Sequence, residues 1–274
     1  MLSKNNFFEN FSLKKKKYTK NLSKARKAFT LLHSDLKNFE IPPLKSFDKS
    51  YNLDFSHSTI KKFSKYKNII IIGMGGSILG TKSIYSFLKK KIKKKVFFFD
   101  NLDENLHLDF EKVKNFKNSC FIVVSKSGNT LETISNLNIF FSKSLLKKKL
   151  VIITEIKDNS LINIASKFNA EIIEHKDDIS GRYSVLSEPG MFPSALMGLK
   201  VEKFKNLKKF ISNEKFASCL IQNVATIYTL NSCGVKNSVI LNYNSELNSL
   251  CDWYKQLVSE SLGIIEPQFF KFEG

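Results

Sequence analysis

Cysteine is scarce in this chain of 274 residues and never clustered: Cys120, Cys219, Cys233 and Cys251 form no Cys-x-x-Cys pair and have no histidine at metal-ligand spacing. No Cys/His metal site is indicated, and the thiols are expected to be buried in a reducing compartment. Long apolar runs are also missing. The strongest is interrupted by Gly73, so no segment approaches transmembrane length and no membrane partner is expected. The start, Met-Leu-Ser-Lys-Asn-Asn-Phe-Phe, never produces the apolar h-region of a secretory signal, which points to a cytoplasmic protein. Acidic residues are few, 25 against 44 Lys and Arg, for a formal net charge of +19. Such a balance would suit a polyanion. The lysines, however, lie in scattered runs (Lys14 to Lys17, Lys89 to Lys95, Lys147 to Lys149) without aromatic interleaving or a nucleic-acid-binding motif. They read as solvated helix ends, and no nucleic-acid partner is expected.

What is present is a globular composition, 42% hydrophobic, with a change of rhythm along the chain. Up to Pro42 and Pro43, Phe29, Leu31, Leu32 and Leu36 fall at helical spacing. From Asn68 onward, short apolar runs alternate with amphipathic stretches, the mark of βαβ units. Strands are expected over Ile69 to Ile72, Val96 to Phe99, Cys120 to Val124, Leu150 to Thr154 and Ala170 to Ile173. Helices are expected near Thr81 and over Glu104 to Lys114, Thr130 to Ser144 and Ser160 to Phe168. The fold class is therefore α/β, a doubly wound parallel five-stranded sheet. Further on come a short helix ending near Gly198, a helix over Glu214 to Ser232, a strand over Ser238 to Tyr243 and a last helix over Ser245 to Leu262. The organisation reads as an N-terminal helical segment (1–50), a sheet domain (51–200), and linking helices with the start of a second lobe (201–274).

Two turns at the carboxyl edge of that sheet carry chemistry. Ser125-Lys126-Ser127-Gly128-Asn129-Thr130-Leu131-Glu132-Thr133 follows a strand with three hydroxyls, an ammonium and a glycine, suited to cradle a phosphate at a helix N-terminus. It reads equally as an N-capped helix with Thr130 as cap. The P-loop spacing Gly-x-x-x-x-Gly-Lys-Ser/Thr is absent. Gly73-Met74-Gly75-Gly76-Ser77-Ile78-Leu79-Gly80 is a second glycine turn, but its order is not that of a dinucleotide fingerprint, and only Asp100 could mimic a ribose-binding acid. Arg182, after Gly181, can bind phosphate or stabilise an oxyanion, or can pair with Asp177 or Asp178 on the surface.

These turns, with Gly181-Arg182-Tyr183-Ser184-Val185-Leu186-Ser187 and the helix Gln256 to Gly263, resemble in order the motifs of the glucose-6-phosphate isomerase family. The resemblance spans most of Asn68 to Gly263. It implies two sugar-isomerase (SIS) lobes, each an α/β sandwich, of which this chain holds the first and the incomplete start of the second. It also implies interconversion of glucose 6-phosphate and fructose 6-phosphate through a cis-enediol, in glycolysis and gluconeogenesis. Ser125, Lys126, Ser127 and Thr130 would hold the phosphate, with Gly76, Ser77 and Gln256 also against the substrate. Glu260 would be the base and Arg182 would stabilise the intermediate. No metal or organic cofactor is implied, and the full-length form is expected to be a homodimer.

The sequence departs from the family pattern at Ser180, where a glycine is usual, and at Ile264, where a lysine is common. The ring-opening histidine and the C-terminal lysine and glutamine of the family have no counterpart; His33, His57, His107 and His175 stand elsewhere in the order of motifs. The chain is therefore expected to be a C-terminally truncated member. The alternative is a non-catalytic sugar-phosphate-binding regulator or an inactive fragment.

Overall fold

The computed structural model describes residues 15–38, 41–102, 110–113, 116–141, 149–205 and 207–262. Five strands, β1 (Asn68–Gly73), β2 (Lys95–Phe99), β3 (Ser119–Val124), β4 (Leu150–Thr154) and β5 (Glu171–Glu174), form one all-parallel sheet in the order β2-β1-β3-β4-β5. The helices are α1 (Lys15–Asn38), α2 (Pro42–Lys45), α3 (His57–Ser64), α4 (Leu79–Leu88), α5 (Leu131–Phe141), α6 (Ser160–Phe168), α7 (Glu188–Leu196), α8 (Leu207–Ile211), α9 (Glu214–Asn231) and α10 (Asn248–Leu262). The doubly wound α/β architecture agrees with the sequence pattern. Of the helix expected over 104–114, only 110–113 lie among the described residues, and the motif residues Gly263 and Ile264 lie outside them.

The central strands are unbroken apolar runs because both faces are covered. Successive side chains alternate across the pleat. Ile70, Ile72, Phe121, Val123 and Ile152 meet Leu137 and Phe140 of α5 and Leu161 of α6. Ile69, Ile71, Ile122, Val124 and Ile153 meet Phe63 of α3 and Phe192 and Leu196 of α7. A slip of one residue would exchange these two sets, so the pleat and both helical layers specify the same register.

The described residues divide into two compact units. One comprises the described residues of 51–204 with 241–260, and includes the sheet and nearly all of α10; the other draws on those of 15–50 and 205–240. In the second unit α1 packs along α9, with Asn21 Nδ2 donating to Thr229 Oγ1 at 3.0 Å in a buried contact. Side-chain caps set several helix starts: Ser56 accepts from Thr59 N, Asn159 from Ile162 N and Asn213 from Phe216 N.

Two expectations are corrected. Residues 238–243 form no strand, although Val239, Leu241 and Tyr243 alternate as a strand would. A strand exists only with a hydrogen-bonded neighbour, and among the described residues none pairs with this segment, which leaves those side chains exposed. The thiols are not uniformly buried either. Cys120 is, and burial pushes its thiol up to about 12, but Cys219 and Cys251 are half-buried and Cys233 is exposed after α9. No described helix is long and apolar enough to cross a membrane.

Candidate active site

In a parallel sheet every strand delivers its chain to the same edge, and strand order reverses here between β1 and β3. Gly73 and Val124, the last residues of those strands, are register partners, so the two turns named above leave the sheet side by side. The first continues as a short 3-10 turn, Gly75–Ser77. Gly76 is required there by close approach: a Cβ would lie 2.5 Å from Arg182 N and 2.5 Å from Gly181 C. The glycine turn thus seats directly on the backbone of the arginine segment, itself a 3-10 helix over Gly181–Leu186.

The second turn is tied down around buried Ser125, whose Oγ lies 2.8 Å from Thr130 Oγ1. Thr130 is the residue before α5, so the positive end of that helix faces the loop. Lys126 Nζ donates to Asp177 O at 2.6 Å and stands 3.6 Å from Glu155 Oε1. Ser127 is exposed, and its Oγ accepts from Asn129 N at 3.3 Å. Gly128 has φ +68, and a Cβ on it would fall 2.1 Å from Asn159 Oδ1. That same oxygen caps α6, and Asn129 Oδ1 accepts from Ser160 N at 2.9 Å, so the loop is locked to the start of α6.

Helix α10 supplies the third part. Trp253, Gln256 and Glu260, at i, i+3 and i+7, share one helical face. Trp253 Nε1 donates to Arg182 O at 2.9 Å. Gln256 Nε2 donates to Glu260 Oε1 at 2.7 Å and lies 3.0 Å from where a Cβ on Gly75 would be. Glu260 Oε2 is 3.4 Å from Arg182 Nη1. The arginine side chain is 20% exposed and the glutamate 44%, so the pair opens to solvent and leaves a carboxylate that a ligand can reach. The Arg182 guanidinium also stacks 5.0 Å from the centroid of the Tyr183 ring.

The structure therefore brings Gly76, Ser77, Arg182, Gln256 and Glu260 into one cluster. Ser125, Lys126, Ser127 and Thr130 form a neighbouring loop, linked to it through the paired strand ends and the Lys126 to Asp177 contact. Asp100, the mimic of a ribose-binding acid, is instead ion-paired to Lys82 at 2.6 Å. Four supporting residues escaped the sequence reading as participants: Trp253, Glu155, Asn129 and Asn159. Only Asn159, as a helix-capping type ahead of Ser160, carried a local signal. His175, at the end of β5, is buried, its Nδ1 lies 3.1 Å from Lys176 O, and burial lowers its pKa.

The phosphoglucose isomerase family profile matches residues 48–266. The chain belongs to that family. A glucose-6-phosphate isomerase of Methanocaldococcus jannaschii is 34% identical, over 74% of this chain and 52% of the relative. A crystal structure of a glucose-6-phosphate isomerase from Chlamydia trachomatis superposes with a TM-score of 0.63 at 22% identity, covering 74% of this chain and 42% of that one. A hypothetical protein from Thermus thermophilus superposes with a TM-score of 0.70 at 21% identity, covering 93% of this chain and 64% of that one. These two likenesses establish the fold. The chain spans about half the length of the curated phosphoglucose isomerases it matches.

Proposed function

We propose that this chain carries the phosphate-binding and proton-transfer parts of a glucose-6-phosphate isomerase, which interconverts glucose 6-phosphate and fructose 6-phosphate through a cis-enediol. The observation that carries the reading is the contact of Glu260 with both Arg182 and Gln256 beside the Gly75–Ser77 turn. Shifting a carbonyl between C1 and C2 requires one group to remove a proton from one carbon and return it to the next, a reversible task suited to a carboxylate. Glu260 takes that role. Negative charge then develops on the enediolate oxygens, and the Arg182 guanidinium is the preorganised countercharge. Gln256 orients the carboxylate. Ser125, Lys126, Ser127 and Thr130 hold the phosphoryl end, with Gly76 and Ser77 against the sugar.

The activity is that of the whole protein, in which a homodimer is the proposed assembly. The proton-transfer half of the reaction tests Glu260 directly: fructose 6-phosphate is incubated with the protein in D2O and followed by proton NMR. Deuterium is expected to enter at C1, and Glu260→Gln should slow this by about 10²-fold or more. Equal exchange in the variant would remove Glu260 from the chemistry.

A second reading, a sugar-phosphate-binding regulator, is favoured by one observation: the Ser125–Thr130 turn is held by its own hydrogen bonds, Ser125 Oγ with Thr130 Oγ1 and Ser160 N to Asn129 Oδ1, independently of Glu260. Calorimetric binding of glucose 6-phosphate without any deuterium incorporation would select it.

A further inference from the structure

The strands of a parallel sheet also begin along one edge, opposite the site described above. There, around the first residues of β1 and β2, lies a cavity of about 550 Å³, within the size range of small-molecule sites. Lys65, Lys67, Lys93, Lys94, Lys95 and Lys112 line it, and no carboxylate is among its described lining residues.

These lysines come from three separate stretches: the link from α3 to β1, the lead into β2, and the segment 110–113. A lysine-rich composition alone scatters charge, whereas here the fold gathers it. Convergence of like charges raises the local potential and costs free energy until an anion neutralises it. Lys94 is the most enclosed of the set. One of its donors goes to Ser64 O at 2.8 Å, and burial lowers its pKa. The run expected to be solvated at a helix end is thus partly drawn into a concave wall. Tyr66 and Phe97 face the same cavity, and Lys65 Nζ sits 5.3 Å from the centroid of the Tyr66 ring. An aromatic surface beside clustered ammonium groups matches a phosphate chain that carries a planar base.

We propose that this cavity is a second anion site, separate from the hexose phosphate site, that takes a short polyphosphate, either inorganic or the triphosphate of a nucleotide. The test is calorimetric titration of the whole chain at about 0.15 M salt, where non-specific charge attraction is screened. Tripolyphosphate and ATP are the probes. One-to-one saturable binding is expected, weakened about tenfold or more by Lys94→Gln together with Lys67→Gln, since charge-assisted hydrogen bonds are the strong ones. Lys16→Gln with Lys20→Gln on α1 removes the same net charge elsewhere and should leave binding intact, and the titration is run with saturating fructose 6-phosphate so that the loop at Lys126 does not contribute. Tighter binding of ATP assigns the rings to a base, and equal binding assigns the site to the phosphate chain alone. If the Lys94 variant fails to melt cooperatively, the pair Lys67→Gln and Lys95→Gln replaces it. No saturable heat, equal weakening by the α1 pair, or a single-stranded RNA oligomer that binds more tightly than both probes would overturn the proposal.

Discussion

The indole Nε1 of Trp253 donates to the backbone carbonyl of Arg182 at 2.9 Å, while Glu260, two turns further along the same helix, meets the guanidinium of that arginine at 3.4 Å. Helix α10 therefore grips Arg182 at both ends, backbone and side chain. The residue proposed to neutralise the intermediate and the residue proposed as base are aligned by one rigid element.

Trp253→Phe keeps an aromatic ring, smaller than the indole, and removes the donor. Loss of one such hydrogen bond destabilises by about 0.5–1.5 kcal/mol, measurable by urea denaturation. Because the contact positions Arg182, solvent exchange on fructose 6-phosphate is expected to slow by about tenfold in rate, with little change in the concentration giving half-maximal exchange. A change confined to that concentration would mean that Trp253 supports binding and not the proton transfer.

Gly76→Ala sets a methyl group against backbone atoms that have no flexible end to move, Arg182 N and Gly181 C, both at 2.5 Å. A destabilisation of about 1–3 kcal/mol is expected from overpacking, together with loss of hexose phosphate affinity as the two segments part. Gly198→Ala is the control. That residue has φ +84 with nothing within 4 Å of an added Cβ, so its cost is backbone strain of about 1–2 kcal/mol and affinity should be unchanged. Thermal melts and calorimetry separate the two.

Glu155→Gln removes a carboxylate that would compete with a bound phosphate for Lys126, from which it is 3.6 Å away, and for Lys157, at 3.1 Å. Lys126 remains oriented by the Asp177 carbonyl. Inorganic phosphate should bind at the loop about two- to fivefold more tightly, in keeping with a partly exposed ion pair worth about 0.2–1 kcal/mol. Phosphorus NMR titration checks this, and weaker binding would show that the carboxylate is needed to hold the lysine in place.

Glu188, at the first position of α7, is wholly buried and accepts from Tyr51 Oη at 3.0 Å and Asp54 N at 3.1 Å. Burial raises its carboxyl above the ordinary 4.5, outweighing those donors, and the same burial and charge raise the Tyr51 phenol. A raised folded value means that the native state holds the proton more tightly than the unfolded chain does. This group's contribution is present below pH 4.5 and lost as pH rises through the higher folded value. Glu188→Gln cannot ionise, so its stability relative to the parent should improve steadily as pH rises across that window. Urea denaturation at stepped pH reads the difference, and a gap independent of pH would mean that the carboxyl is not perturbed.

The three central strands were legible because a strand covered on both faces is apolar along its length, and Ile69–Ile72, Cys120–Val124 and Leu150–Ile153 are so. At 238–243 the same reasoning failed. Alternation shows that a segment suits a sheet, but the neighbour that would complete it is not part of the local pattern. The turns at Gly73–Gly80 and Ser125–Thr133 were legible since tight approach demands glycine and anion recognition demands hydroxyls. Their supports were not, because Lys126 and Trp253 both engage backbone carbonyls, which every residue possesses.

By itself the chain's order of residues determined the sheet, its two buried faces and the family motifs at its carboxyl edge. These follow from local periodicity and from the side-chain types that anions and close backbone contacts require. Only the tertiary structure decided that Trp253, Gln256 and Glu260 converge on a loop far back in the chain, and that six lysines from three stretches share one hollow at the other edge. Such encounters depend on strand order and helix placement, long-range properties that no window of neighbouring residues contains.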